Sequence, residues 1–449
     1  MKKKITTNNI FLKSLLIKPD IQVIDKALNL LKKLRLGKKI TVIETRIENL
    51  ENWRINSFSK NLQHSSKRFF SIQAIKYKKS FNYKVHPIIN QKERGILGII
   101  SQKHRGILKF LLQAKFEPGY KNIFQLSPTI QATKSNLERV HGGKSQKYYK
   151  YFLDKKSTIH SSILLSEQGT KFYNKKNLNI LIQIPEYKII PIHREFIWLT
   201  LSEIKFLMTK NNIVNMSARS VLSTINFDSI SSGNSPFLNS LILTKKDRYK
   251  VALLKKKNIL KTSSAEKAGL INLSKASWYN NRKHQKAIYN NFFIKGLKIK
   301  SNTREIKSWD QPILKPIKNI TFILLMKEID GRYYFLLDIK YEPGIIKNKI
   351  FTPTFSHYKI IKNKKIIKNL IKKYDGRIIH RSIQSEEGGR FFFAENEYII
   401  LKISDKKIIN KKLKKYWLSI PQILLLIKTS DLIGIQLRTF ISLINYVKL

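Results

Sequence analysis

The sequence predicts an α+β fold made of two tandem copies of one module, each a mixed sheet flanked by helices, behind an N-terminal helix. Three observations predict it. Long stretches of sequence recur at fixed spacing, each copy holds strand-like apolar runs on either side of a tight turn, and each closes on a capped helix.

The repeat is explicit. The stretch FLLQAKFEPG at 110–119 returns as FLLDIKYEPG at 335–344, a spacing of 225 that Ser127-Pro128-Thr129 and Thr352-Pro353-Thr354 also keep. Trp53 and Trp278, Pro87 and Pro312, and Gly106 and Gly331 share it. Further on, SEQGTKFY at 166–173 returns as SEEGGRFF at 385–392, now 219 apart. Trp198 and Trp417, Asn177 and Asn396, and Arg219 and Arg438 hold that second spacing. Two constant offsets separated by one six-residue deletion mark a duplicated domain.

Taken in order, residues 1–50 form an N-terminal helical extension. A helix over 20–36 puts Ile24, Ala27, Leu28, Leu31 and Leu34 on one face for packing, and Gly37 closes it. The first module spans 51–228. Residues 96–101 and 107–116 read as a β-hairpin around 104–106, with further strands near 161–165, 171–173 and 178–184. Thr200 and Glu203 form a capping box ahead of Ile204, Leu207 and Met208. Residues 229–265, polar and then Lys-rich, read as a linker. The second module, 266–449, repeats the grammar: strands 320–327 and 333–341 about Asp330-Gly331, a dipeptide suited to positive φ, and a capping box at Ser419 and Gln422.

Composition bounds the function. Without cysteine there is no disulfide, thiol catalysis or cysteine-ligated metal. No run approaches the roughly 18–20 apolar residues of a membrane span, and the basic start, broken by polar residues and Lys13, does not read as a cleaved signal. The net charge of +58 admits a nucleic-acid-binding reading. However, the lysines are spread along the whole chain and no nucleic-acid module signature appears, so the excess reads as a compositional bias toward Lys, Ile and Asn. No membrane and no specific nucleic acid are expected as partners. An anionic ligand would still be drawn in by the field.

Residues 113–143 break the monotony. Within them stand three glycines and two prolines beside Glu117, Gln131, Ser135, Asn136, Arg139 and His141, types that fix backbone geometry and build polar pockets.

With both copies laid out, the sequence resembles the NDP-hexose 2,3-dehydratase family. The likeness rests on QKERGILG (91–98), QAKFEPG, QLSPTIQATKSN, ERVHGG, LSEQGTKFY, KKNLN (175–179), WLTL (198–201) and VNMSARSVL (214–222), in order along nearly the whole chain after residue 50. It implies two Nudix-like modules and a cytoplasmic homodimeric hydro-lyase. The implied substrate is dTDP-4-keto-6-deoxyglucose, dehydrated across C-2 and C-3 to a 3,4-diketo-2,6-dideoxy sugar that a 3-ketoreductase would then use. A non-catalytic nucleotide-sugar-binding protein is the rival reading. Nudix-type pyrophosphate hydrolysis needs a Glu-rich metal helix, and no such carboxylate cluster occurs in the sequence. The elimination is redox-neutral, so no cofactor and no metal are expected.

That chemistry assigns candidate roles. His141, Glu117 and Glu167 are the proton-transfer candidates. Glu117 and Glu167 are echoed by Glu342 and Glu386, which leaves a strand-end structural role open for both. Gln131, Thr133, Lys134, Ser135 and Asn136 would contact sugar and phosphate oxygens, with turn capping as the competing role. Arg139, Lys176 and Arg219 would clamp the diphosphate, against a reading as solvated charge. Trp53 and Trp278 would stack on thymine or else pack in the core, and Ser166 and Asn177 would add polar contacts. Ser217 and Leu178 stand where the family tends to carry Asp and a basic residue. The first copy is expected to do the chemistry, the second to serve as scaffold or dimer surface.

Overall fold

A computed structural model describes residues 9–37, 39–79, 82–133, 146–227, 235–256, 260–261, 268–276, 286–287, 292–303, 306–345, 349–358, 363–404, 416–428 and 432–444. Each copy is organised on a hairpin. In the first, strands Gly95–His104 and Ile107–Phe116 turn at Arg105 (φ 50°) and Gly106 (φ 77°). In the second, Ile320–Ile329 and Arg332–Lys340 turn at Asp330 (φ 49°) and Gly331 (φ 66°). Two successive positive-φ residues give the twist that a two-residue hairpin needs, which is why Gly falls there in both copies.

Around each hairpin a seven-stranded sheet assembles in the same order. Strand Lys176–Ile184 runs parallel to Gly95–His104, as Glu395–Lys402 does to Ile320–Ile329. These buried strands read as near-continuous Ile and Leu runs, as parallel pairing between covered faces requires. Residues 171–173 are not a strand. The Lys171 and Phe172 amides both turn back to the Gln168 carbonyl, at 2.9 and 2.8 Å, leaving a turn with a single bridge from Phe172 to Ile89.

The hairpin forks at its base. Residues 100–104 pair with 107–111, but beyond that point Gly95–Gly98 pairs with Ile130–Thr133, and Gln113–Phe116 pairs with Phe124–Ser127. Thr129 sits at the vertex: its hydroxyl accepts from the Ile100 amide at 3.0 Å and donates to the Leu111 carbonyl. Thr354 repeats this between Leu325 and Leu336. The recurring Ser/Thr-Pro-Thr word is therefore the device that holds the fork open.

The copies are interlaced. Strand Ile40–Thr45, from the N-terminal extension, pairs with Phe292–Ser301 of the second copy. Strand Ala268–Ile271 pairs with Ser71–Lys79 of the first. One hydrophobic core runs through both, from Leu12 and Ile24 through Phe110 and Leu199 to Phe335 and Phe440. The expected helix appears as Ile21–Gly37 with Ile24, Ala27, Leu31 and Leu34 buried. Ser14 ties the shorter helix before it to the core, donating to the Leu108 carbonyl and accepting from the Leu201 amide.

Both capping boxes are formed, at Thr200/Glu203 and Ser419/Gln422. The stretch read as linker carries a twelve-residue helix, Lys245–Lys256. Its buried Asp247 accepts from Ser419 Oγ (2.9 Å), Gln422 Nε2 (2.7 Å) and Arg332 Nη2 (3.1 Å), bracing the second box. Lysine-rich composition hid the Val251 and Leu254 stripe that docks it. No helix among the described residues is long and apolar enough to cross a membrane.

Candidate active site

The fork of the first module opens onto a solvent-connected cleft. One prong contributes Gly95 and Leu97, the other Lys115 and Glu117, and the inserted strand Gln131 and Thr133. The cleft is polar because each prong ends where the ladder ends, leaving side chains of both edges to face each other.

Two carboxylates are held by amides. Asn177 donates to Glu167 Oε1 at 2.6 Å, while its own Oδ1 accepts from the Gly95 amide at 2.9 Å. A side chain at Gly95 would put its Cβ 2.8 Å from that oxygen, so it would displace the Asn177 amide. Glu117 receives Gln131 Nε2 at 3.5 Å and Lys115 Nζ at 3.6 Å. Gln131 is in turn oriented by Asn215 Nδ2 at 3.0 Å.

The second copy completes the cleft. Its turn 385–390 brings Glu387, Gly389 and Arg390 into the lining, so the second module is more than a scaffold here. The turn is seated by close backbone contact: Gly119 donates to the Gly388 carbonyl at 2.7 Å, and Phe393 donates to the Gly119 carbonyl at 2.9 Å. A Cβ on Gly119 would lie 2.0 Å from the Phe391 carbonyl. The mirror contact joins Gly344 to Gly169 at 2.7 Å. The Glu-Pro-Gly word thus persists in both copies because its glycine packs on the other copy's turn.

Charge inside the cleft is mixed. Lys175 donates to the Glu93 carbonyl, and Arg390 to Gln91 Oε1 at 3.4 Å and the Gly389 carbonyl at 2.8 Å. Burial lowers the Lys175 pKa, with Glu387 and Glu167 working against the shift. Burial likewise pushes Glu387 up to about 7; Arg390 opposes this, while Glu167 and Glu117 add to it. Cations meeting carboxylates in a cleft can bind an anionic ligand and move a proton within it.

Among the expected site residues, the structure gathers Glu117, Gln131, Thr133, Glu167 and Asn177 in this one cleft. Ser166 and Lys176 are register partners at adjacent strand ends and do not line it. Arg219 lies elsewhere: fully buried, its guanidinium donates to the Val214 and Ser385 carbonyls and to Gln384, and faces no cleft. Trp53 is in the core, 5% exposed, against Phe70 and His64, with Nε1 donating to the Asp310 carbonyl at 2.8 Å. Lys134, Ser135, Asn136, Arg139, His141 and Trp278 lie outside the described residues. Sequence reasoning missed Lys175, Glu387 and Arg390. The signal was present where SEQGTKFY became SEEGGRFF, which exchanges Gln168 for Glu387 and Lys171 for Arg390.

Fold and site together define a duplicated α+β protein with a cleft between its modules lined by carboxylates and cations. The NDP-hexose 2,3-dehydratase family model matches residues 25–225 and again 252–444. The chain belongs to that family. It is 30% identical over 430 residues to a dTDP-4-dehydro-6-deoxy-alpha-D-glucopyranose 2,3-dehydratase of Saccharopolyspora spinosa, covering 88% of this chain and 86% of the relative. A Streptomyces violaceoruber protein of the same name is 29% identical, covering 90% and 93%. One from Amycolatopsis orientalis is 28% identical, covering 88% and 84%.

Proposed function

We propose that the chain eliminates water across C-2 and C-3 of dTDP-4-keto-6-deoxyglucose. The C-3 hydrogen is acidified by the neighbouring C-4 ketone, so a carboxylate can remove it while cations stabilise the enolate oxygen. The C-2 hydroxyl then leaves as water, and the enol formed tautomerises to a 3,4-diketo-2,6-dideoxy sugar. The observation carrying this reading is the meeting of Glu117, Glu167 and Glu387 with Lys115, Lys175 and Arg390 in one cleft.

The reaction is redox-neutral and its balance calls for no electron carrier. A 3-ketoreductase would consume the reactive diketone. Nudix-like modules and a homodimer belong to the same reading, as does the proton-transfer role given to His141 from sequence. Incubating the purified chain with the 4-keto sugar nucleotide and following its mass is the test. Loss of one water supports the assignment; binding of dTDP without mass loss would make the chain a nucleotide-sugar binder instead.

A further inference from the structure

We propose that Glu387, carried into the first module's cleft by the second module, takes the C-3 proton of the bound 4-keto sugar and returns it to the departing C-2 hydroxyl. The inference rests on the dehydratase reading above. In the step, the C-3–H bond breaks with its proton passing to the Glu387 carboxylate. The electron pair moves through the C-4 enolate to expel the C-2 oxygen, which leaves as water with that same proton.

The duplication supplies the argument, because the molecule contains a second fork built alike. There Asn396 donates to Glu386 Oε1 at 2.6 Å and accepts from the Ile320 amide at 2.9 Å, as Asn177 does for Glu167 and Gly95. The entering turn comes from the first copy, and the residue at the position of Glu387 is Gln168, whose amide donates to Glu386 Oε1 at 3.0 Å. Lys171, at the position of Arg390, forms an ion pair with Glu386. Burial pushes Glu386 up, but Lys171 and the amide donors hold it below the ordinary carboxylate range. The second fork therefore receives no carboxylate from its neighbour; of its own two, Glu386 is held in an ion pair and Glu342 accepts from the Gly169 amide at 2.7 Å.

In the first fork the entrant can titrate. Glu167 and Glu117 each accept from an amide donor, Asn177 and Gln131. Among the described residues no hydrogen bond or ion pair holds the Glu387 carboxylate. The groups around it are Glu117 and Tyr120 at the end of the hairpin strand, Glu167 and Lys175 on the loop opposite, and Arg390 on its own turn. Their balance with burial brings Glu387 to about 7, where a carboxylate can both accept and return a proton. Placement is tight: a Cβ on Gly388 would meet the Tyr120 ring at 2.5 Å and Glu117 Cβ at 2.8 Å, so the turn fixes Glu387 beside the prong.

The test uses the full chain with Glu387→Gln and Glu387→Asp. Expected for Glu387→Gln is a fall in kcat of roughly 100-fold or more, unchanged dTDP affinity, and loss of solvent deuterium exchange at C-3. Glu387→Asp should recover part of the rate with a displaced acidic limb in its pH profile. Turnover within about threefold of wild type for Glu387→Gln, or a Glu387→Asp profile superimposable on wild type, overturns the proposal. Loss of dTDP binding in step with turnover overturns it too, since the residue would then be structural. If wild type itself eliminates no water, the dehydratase reading fails and this inference falls with it. An active wild type with an active Glu387→Gln sinks this inference alone.

Discussion

Arg219 and Arg438 grip the two copies in mirror image: Arg219 Nη2 donates to the Ser385 carbonyl at 2.6 Å, and Arg438 Nη2 to the Ser166 carbonyl at 2.8 Å. Both residues and both acceptors are 219 apart in sequence. Each guanidinium also binds a carbonyl five residues before it, Val214 or Ile433, so each helix start is tied to the other copy's turn at 385–390 or 166–171. Arg219→Ala or Arg438→Ala should cost about 2–4 kcal/mol in urea unfolding, since buried carbonyls lose their donors. Lysine at either position should not restore it, lacking the planar fork. A loss below about 0.5 kcal/mol would remove the residue from the interface.

Backbone contact between copies makes a second forecast. A Cβ at Gly344 would lie 1.9 Å from the Phe172 carbonyl, as at Gly119 against Phe391. Gly344→Ala should therefore destabilise the chain by about 3 kcal/mol, although it lies away from the cleft. Gly269→Ala meets nothing within 4 Å and should leave the melting temperature unchanged. Equal melting temperatures for the two variants would contradict the packing described.

Trp53 tests core against ligand. Trp53→Phe removes the bond to the Asp310 carbonyl and should cost about 1–2 kcal/mol, with dTDP affinity unaltered. A tenfold weaker dTDP affinity in a folded variant would put the indole in the ligand site after all.

Lys205 gives stability a pH signature. Its amine is buried, donating to the Ser442 and Ile441 carbonyls, and burial lowers its pKa from 10.5 to about 7. Between those two values the unfolded chain holds the proton that the folded chain releases, so stability rises with pH across that window. The slope from this group is at most about 1.4 kcal/mol per pH unit. Urea unfolding from pH 7.5 to 9 should show the rise, and Lys205→Met should flatten it. An unchanged slope in the variant would assign the pH dependence elsewhere.

Sequence alone determined the duplication, the hairpins, both capping boxes and the family, because each is written in residues near one another or in words repeated at constant spacing. Gly106 and Gly331 mark turns through their own backbone, and Thr200 and Glu203, three residues apart, cap their helix between them. Part of the cleft was legible for the same reason, with Glu117, Gln131, Thr133, Glu167 and Asn177 all in the conspicuous words of the first copy. Tertiary structure alone decided that Glu387 and Arg390 enter that cleft from the other copy, that Arg219 serves the junction, and that strands 40–45 and 268–271 change places. Those outcomes depend on which surfaces of the two modules meet, and pairing between strands so distant in the chain leaves no local periodicity to read.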